Sequence, residues 1–236
     1  MNGLSERRHA RTSGRWFLLR PIAWFGAALL MLLFIQLGSE VGEGEATWLD
    51  AAVLHAAQAM RALRPWLAAV MRDLTGVGST AVLALLATSA CGYLVLIRAR
   101  RTAAFVALSV ASAAAAVELL KALFGRERPA PEFAAYAASG LSFPSGHTSM
   151  STVVFMTLGL LVARTHGRAA ERFFIVAFAA VLALLVGVSR AALGVHWATD
   201  VIGGWVFGTS WAIAWLLAAD TIDMRRSDSS LGECAQ

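Results

Sequence analysis

Three short clusters hold the residues of this chain that could do chemistry. Lys121, Arg128 and Pro129 form a K-x6-R-P pattern, Pro144-Ser145-Gly146-His147 follows, and Ser189-Arg190 with His196 and Asp200 reads S-R-x5-H-x3-D. Together they offer three fixed cations, two imidazoles, a carboxylate and a Ser-Gly turn, the inventory that hydrolysis of a phosphate ester requires. His196 and Asp200 stand four apart and would share one face of a helix, where the carboxylate can fix one imidazole nitrogen and leave the other free to attack. His147, from another segment, could protonate the leaving oxygen. Lys121, Arg128 and Arg190 would stabilise the charge spread over a transferring phosphoryl group, and two of the three are arginines, which suit bidentate contacts.

The elements that must position these groups are membrane helices. With 236 residues, 58% of them hydrophobic, and a mean hydropathy of +0.65, the chain is too apolar for a soluble domain of this size. The expected fold is all-α and polytopic, a bundle of six transmembrane helices over roughly 17–38, 79–97, 102–120, 148–164, 172–188 and 200–219. The first run is too long for a signal-peptide core and reads as a retained helix. Residues 1–16 form a basic tail, 17–220 the membrane domain and 221–236 a polar tail.

A pI near 10.2 does not imply nucleic acid here. The arginines cluster at Arg7, Arg8, Arg11, Arg15 and Arg20, at Arg98, Arg100 and Arg101, at Arg164, Arg168 and Arg172, and at Arg225 and Arg226. Each group flanks an apolar run, the pattern of cytoplasmic loops. With both tails inside, strict alternation places all four groups on the cytoplasmic side and all three chemical clusters on the outer face, which in a bacterium is periplasmic. The fourth and sixth spans then start at that face, and Pro144 and Ser145 open the fourth. Helix starts present unpaired N–H groups and the positive dipole end to an anion, and Gly146 lets a ligand approach the backbone.

Segment 49–72 has apolar residues at helical spacing but is interrupted by Asp50, Gln58, Arg61, Arg64 and Arg72. It reads as an amphipathic helix in the outer interface, bent at Pro65, or as a cap over the bundle. Residues 73–79 read as the turn into the second span.

The three patterns, in this order, resemble the signature motifs of the type 2 phosphatidic acid phosphatase superfamily, with no motif position departing. The resemblance implies that His196 attacks phosphorus to form a phosphohistidine, that Asp200 positions it, and that His147 serves as general acid. It implies that Lys121, Arg128, Ser145, Gly146 and Arg190 bind the phosphoryl oxygens, with no metal and no cofactor. A divalent metal on His147, His196 and Asp200 would be repelled by three neighbouring cations.

The remaining polar residues have plainer readings. Glu118, one turn before Lys121, pairs with a nearby cation. Arg126 and Glu127, inside the first motif, face solvent. His55 lies on the polar face of the interfacial helix, and His9 and His166 are solvated. Trp197, Trp205, Trp211 and Trp215 are bundle or interface aromatics, and Cys91 and Cys234 do not pair.

The function expected is a phosphatase acting on a lipid phosphate or diphosphate in the bilayer at the outer face of a bacterial inner membrane. Candidate substrates are undecaprenyl diphosphate, phosphatidic acid, phosphatidylglycerol phosphate and lipid A phosphates, with a lean toward the prenyl diphosphate. A lipid phosphotransferase would share the phosphohistidine. A transporter of anionic lipids is a distant alternative, because charge gathers at one surface and the span centres are apolar. Sequence leaves the oligomeric state open.

Overall fold

The computed structural model describes the backbone of residues 3–42 and 47–233 and the side chains of residues 21–41 and 47–222. Parts of both expected tails, with the readings made for His9 and Cys234, therefore lie outside the described residues. The described chain is helical: α1 (Gly3–Gly42), α2 (Trp48–Leu63), α3 (Trp66–Val77), α4 (Thr80–Leu96), α5 (Arg100–Phe124), α6 (Gly146–Arg164), α7 (Ala169–Ala192) and α8 (Ala198–Glu233), with a single 3-10 turn at Pro131–Phe133. Six stretches are long and apolar enough to cross a bilayer: Pro21–Val41, Trp66–Leu96, Arg100–Phe124, Gly146–Arg164, Ala169–Ala192 and Ala198–Ile222. Large apolar side chains such as Phe25, Leu85, Leu123, Phe173 and Phe174 point outward. Lipid rather than water is the solvent for that surface. The chain is a multi-pass membrane protein.

The main departure from the sequence reading lies before the second span. Residues 73–77 are not a turn but the end of α3, which Pro65 separates from α2 as expected. The break into α4 is confined to Gly78 and Ser79, whose hydroxyl accepts from the N–H of Val82. A Cβ at Gly78 would lie 2.4 Å from a Val186 methyl, so this break is pressed against α7. The spacing could not separate an interfacial helix from a short helix continuing into a span, because both show one apolar face. Helix α2 starts with a reciprocal capping box, Thr47 accepting from Asp50 N–H and Asp50 accepting from Thr47 N–H.

Two features hold the bundle at the end where the chemical residues gather. Phe143 is fully buried and packs against Phe34 of α1, Phe124 of α5 and, across the glycine surface at Gly203, helix α8. This aromatic cluster anchors the strand of chain leading into α6. Helices α6 and α8 meet closely along Gly204 and Gly208, a G-x3-G pair set against Thr148 and Thr152. Without a hydrophobic force between helices in lipid, close approach of small residues supplies the contact.

That approach can be tested. A Cβ at Gly208 would stand 2.6 Å from Thr152 Cβ and 2.8 Å from the Ser149 carbonyl oxygen. Gly208→Val should destabilise the detergent-solubilised protein by about 1–3 kcal/mol, an overpacking cost read as a lower thermal midpoint.

Candidate active site

The three clusters meet at one end of the bundle because α5 and α7 end there while α6 and α8 begin there. Lys121 is in the last turn of α5, and Gly125 closes that helix in the left-handed conformation with φ +64°. Arg190 is in the last turn of α7. Gly194, at φ +69°, then reverses the chain so tightly that a Cβ would fall 2.0 Å from the Phe133 carbonyl oxygen. His196 therefore sits in the turn before α8 and not on the helix with Asp200, as the spacing suggested. They meet because Asp200, in the first turn of α8, reaches back toward the chain entering it.

Asp200 is completely buried and its carboxylate is saturated. One oxygen accepts from Ser142 Oγ, from the Trp197 N–H at 2.9 Å and from His196 Nδ1 at 3.2 Å. The other accepts from Arg126 Nη1 at 2.6 Å. On the far side of the imidazole, Arg128 Nη1 lies 3.1 Å from Nε2. A guanidinium can only donate, so Nε2 carries the lone pair and Nδ1 the proton given to Asp200. That tautomer leaves the lone pair on Nε2, the ring nitrogen that could act as a nucleophile.

Three cations line the same cavity as His196. Arg128 is held by the carbonyls of Ser139, Gly140 and Val195, with Nη1 donating to Val195 at 2.8 Å. Burial and the neighbouring Arg190 push the Arg128 guanidinium down from its ordinary value; an anion would relieve both. Arg190 is buried, donates to Tyr136 Oη and to Thr75 Oγ1 at 3.3 Å, and has no partner for Nε. Lys121 pairs with Glu118 at 3.0 Å, as the sequence suggested. Its Nζ would be 3.2 Å from a Cβ on Gly146, which puts the ammonium against the start of α6. Ser145 caps that helix without a side-chain cap bond. Its hydroxyl accepts from Thr148 at 3.0 Å, and its N–H donates to the Asp200 carbonyl at 3.1 Å. Ser145 is fully buried at this turn, and Gly146 and His147 line the cavity.

The cavity has a volume of about 890 Å³ and is lined at its polar end by Lys121, Arg128, Tyr136, His147, Arg190 and His196. From there it continues between α4 and α5 past Ala84, Ala87, Ala111 and Ala114 to Cys91 and Ala107. From Lys121 to Ala107 is fourteen helical residues, roughly 20 Å at 1.5 Å per residue. A polar mouth thus opens into a long apolar groove. Among the described residues no three His, Cys, Asp or Glu side chains gather as a metal site.

Sequence reasoning missed several residues at this site. Arg126 is not solvent-facing: it is 8% exposed and bridges Asp200 to Asp50, at 2.7 Å from the latter. Glu127 is exposed, and its carbonyl accepts from Trp197 Nε1. Asp50, read as one polar interruption of an amphipathic helix, is fully buried. Ser142, Thr199, Tyr136 and Thr75 carried no signal apart from standing near the motifs or in a helix. His55 is exposed as expected and packs edge-on against Phe133. Trp205 and Trp211 donate to the carbonyls of Ala183 and Ser109 inside the bundle, as bundle aromatics should.

Comparison with known proteins gives one consistent picture. The family model described as the PAP2 superfamily matches residues 102–223. The chain is 30% identical over 181 residues to phosphatidylglycerophosphatase B of Bacillus subtilis (strain 168), covering 76% of this chain and 87% of that protein. It is 35% identical over 156 residues to decaprenylphosphoryl-5-phosphoribose phosphatase of Mycolicibacterium smegmatis, covering 65% and 79%. The crystal structure of a transmembrane PAP2-type phosphatidylglycerolphosphate phosphatase from Bacillus subtilis superposes with a TM-score of 0.73 at 26% identity, over 85% of this chain and 97% of that one.

Burial, with Arg128 and Arg190 adding to it against the opposing pull of Asp200, lowers the His196 pKa from 6.5 to about 4. An unfolded histidine would take up a proton between those values, so stability is complete above about pH 6.5 and falls as the pH drops toward 4. Histidine-selective NMR should find the His196 ring neutral at pH 6, with a midpoint well below the ordinary value. A midpoint near 6.5 would contradict this environment.

Proposed function

The chain belongs to the PAP2 superfamily, and on that premise we propose that it is a lipid phosphatase that removes a terminal phosphoryl group through a phosphohistidine on His196. The observation that carries the reading is the Nε2 lone pair of His196 among Arg128, Arg190, Lys121 and His147, at the mouth of an apolar groove. The groove is where a lipid tail would lie, and the cations are where its phosphate would bind.

The chemistry follows from the donors. Lys121, Arg128, Arg190 and the N–H groups at the start of α6 would bind the non-bridging oxygens, with Ser145 holding that start in shape. His196 Nε2 donates its lone pair to phosphorus as the bond to the leaving oxygen breaks. His147 gives that oxygen a proton. Asp200, accepting from Nδ1–H, keeps the charged phosphohistidine ring oriented. Water, losing a proton to His147, then attacks phosphorus. The P–N bond breaks, inorganic phosphate leaves, and Nε2 regains its lone pair.

The substrate class is a membrane lipid ending in a phosphate or diphosphate. The relatives named above are phosphatases of phosphatidylglycerol phosphate and of decaprenylphosphoryl-5-phosphoribose, so both glycerolipids and prenyl-linked lipids belong in the test, beside undecaprenyl diphosphate, phosphatidic acid and lipid A. The site would face the periplasm of a bacterial inner membrane. Support comes from the placement of Arg98, Arg100, Arg101, Arg164 and Arg168 at the opposite end of the spans. A phosphotransferase would share every step up to the phosphohistidine, and a phosphorylated acceptor lipid among the products would reveal it.

Phosphate release by purified protein from this panel, with EDTA present, tests the reading. Release should survive EDTA and fall on the order of 10³-fold or more in His196→Ala; release that EDTA abolishes would contradict it. For the orientation, single cysteines at the exposed Ala137 and Gly167 in a background without Cys91 and Cys234 should differ. Ala137→Cys should react with an impermeant maleimide in intact spheroplasts, and Gly167→Cys only after lysis.

A further inference from the structure

Behind the catalytic pair lies a buried charge network that the steps above do not use. Asp50 of α2 has no solvent exposure. One of its oxygens accepts from the N–H and hydroxyl of Thr199, both at 2.9 Å, and the other from Arg126 Nη2 at 2.7 Å. The Thr199 hydroxyl in turn accepts from Arg126 Nη1 at 2.7 Å, and the same Nη1 donates to Asp200 at 2.6 Å. The Trp197 ring covers the guanidinium at 5.3 Å. Three segments distant in sequence are thereby joined: α2, the loop after α5 and the start of α8.

Two carboxylates share one guanidinium, leaving the group with a net charge of −1. As a stabilising device this arrangement gains little, since a buried ion network seldom outperforms apolar packing of the same volume. Its position suggests another use. Arg126 engages the Asp200 oxygen that His196 does not, so it fixes the rotation of the carboxylate and aims the other oxygen at Nδ1. Alone, Arg126 would also draw the negative charge of Asp200 away from the imidazole. Asp50 offsets that pull, and it holds the guanidinium from behind.

We propose that Asp50, Arg126 and Thr199 form a positioning network for the Asp200–His196 pair, in which Asp50 both seats Arg126 and returns negative charge to Asp200 as the phosphohistidine forms. The inference rests on the proposed phosphohistidine. It makes α2 part of the catalytic apparatus and not merely a cover over the bundle.

The test compares kcat and KM of the full-length protein, Asp50→Asn, Arg126→Gln and the double variant, assayed on phosphatidylglycerol phosphate micelles or on the panel lipid the wild type hydrolyses fastest. Gel filtration would quantify the folded fraction. Asp50→Asn should lower kcat about 10- to 100-fold, the scale on which outer partners orienting a histidine act. KM should stay within about twofold, because the phosphate cradle is untouched. Asp50 acts through Arg126, so the two should behave as one unit and the loss of kcat in the double variant should fall at least about fivefold short of the product of the two single losses. A wild-type kcat in folded Asp50→Asn would overturn the proposal. So would losses that simply multiply in the double variant, or losses confined to the yield of folded protein. If Asp50→Asn does not fold, Thr199→Val keeps every charge and removes only the shared hydroxyl; it should still lower kcat without moving KM, and an unchanged kcat would overturn the proposal. Absence of His196-dependent release in the wild type would instead refute the phosphohistidine reading on which the network depends.

Discussion

A carboxylate with no access to water must have its charge met by donors, and the site end of this protein is arranged around meeting the charge of Asp200. Its donors come from the loop between α5 and α6, through Ser142 and Arg126, and from the turn between α7 and α8, through His196 and the Trp197 N–H. To bring them together, the α5–α6 loop must lie across the mouth of the bundle, and the chain after α7 must reverse at Gly194. Arg126 then requires its own counter-charge, which draws Asp50 and with it α2 onto the same surface. The position of one buried carboxylate thus accounts for the fixed orientation of His196, for the tautomer that exposes Nε2 and for the cover over the site.

The membrane imposes the complementary constraint. Outward-facing side chains along the spans are apolar, so charge can be gathered only at the ends or inside the bundle. At one end the arginines between α4 and α5 and between α6 and α7 mark the surface, with Arg164 paired to Asp220 at 2.7 Å. At the other, three cations crowd round a histidine at the head of a groove lined by alanines. Small residues serve both purposes here. Glycines 204 and 208 let α8 close on α6, and the alanines of α4 and α5 leave the groove wide enough that a hydrocarbon chain could lie in it. A phosphate at the mouth and a tail in the groove would keep the substrate partly in the bilayer while its ester bond meets the nucleophile.

Much of this was readable from sequence because its signals are local. Apolar runs of span length, flanked by arginines, define the helices, and alternation of those spans brings the three motifs to one end, where the structure gathers them round one cavity. What could not be read depends on partners distant in the chain. Arg126 sits two residues before Arg128, and nothing local distinguishes a solvated arginine from one buried between Asp50 and Asp200, 76 and 74 positions away. Asp50 did carry a local signal, the T-x-x-D of a capping box, but that motif explains a helix start and not full burial. The Ser145 hydroxyl is a similar case: the resemblance implied a phosphate contact, and the turn adds a second partner that the motif does not show, Thr148, from which the hydroxyl accepts. Periodicity identifies a face; which charge waits behind it is a property of the assembled bundle.

The central claim is that His196 Nε2 carries the phosphoryl group during turnover. Brief reaction with a lipid bearing a ³²P-labelled terminal phosphate, quenched in alkali and digested, tests it most directly. The account predicts label on the peptide containing His196, stable in alkali, lost in acid and absent from His196→Ala. Turnover with no trapped label in a rapid quench, or label on any other residue, would contradict it.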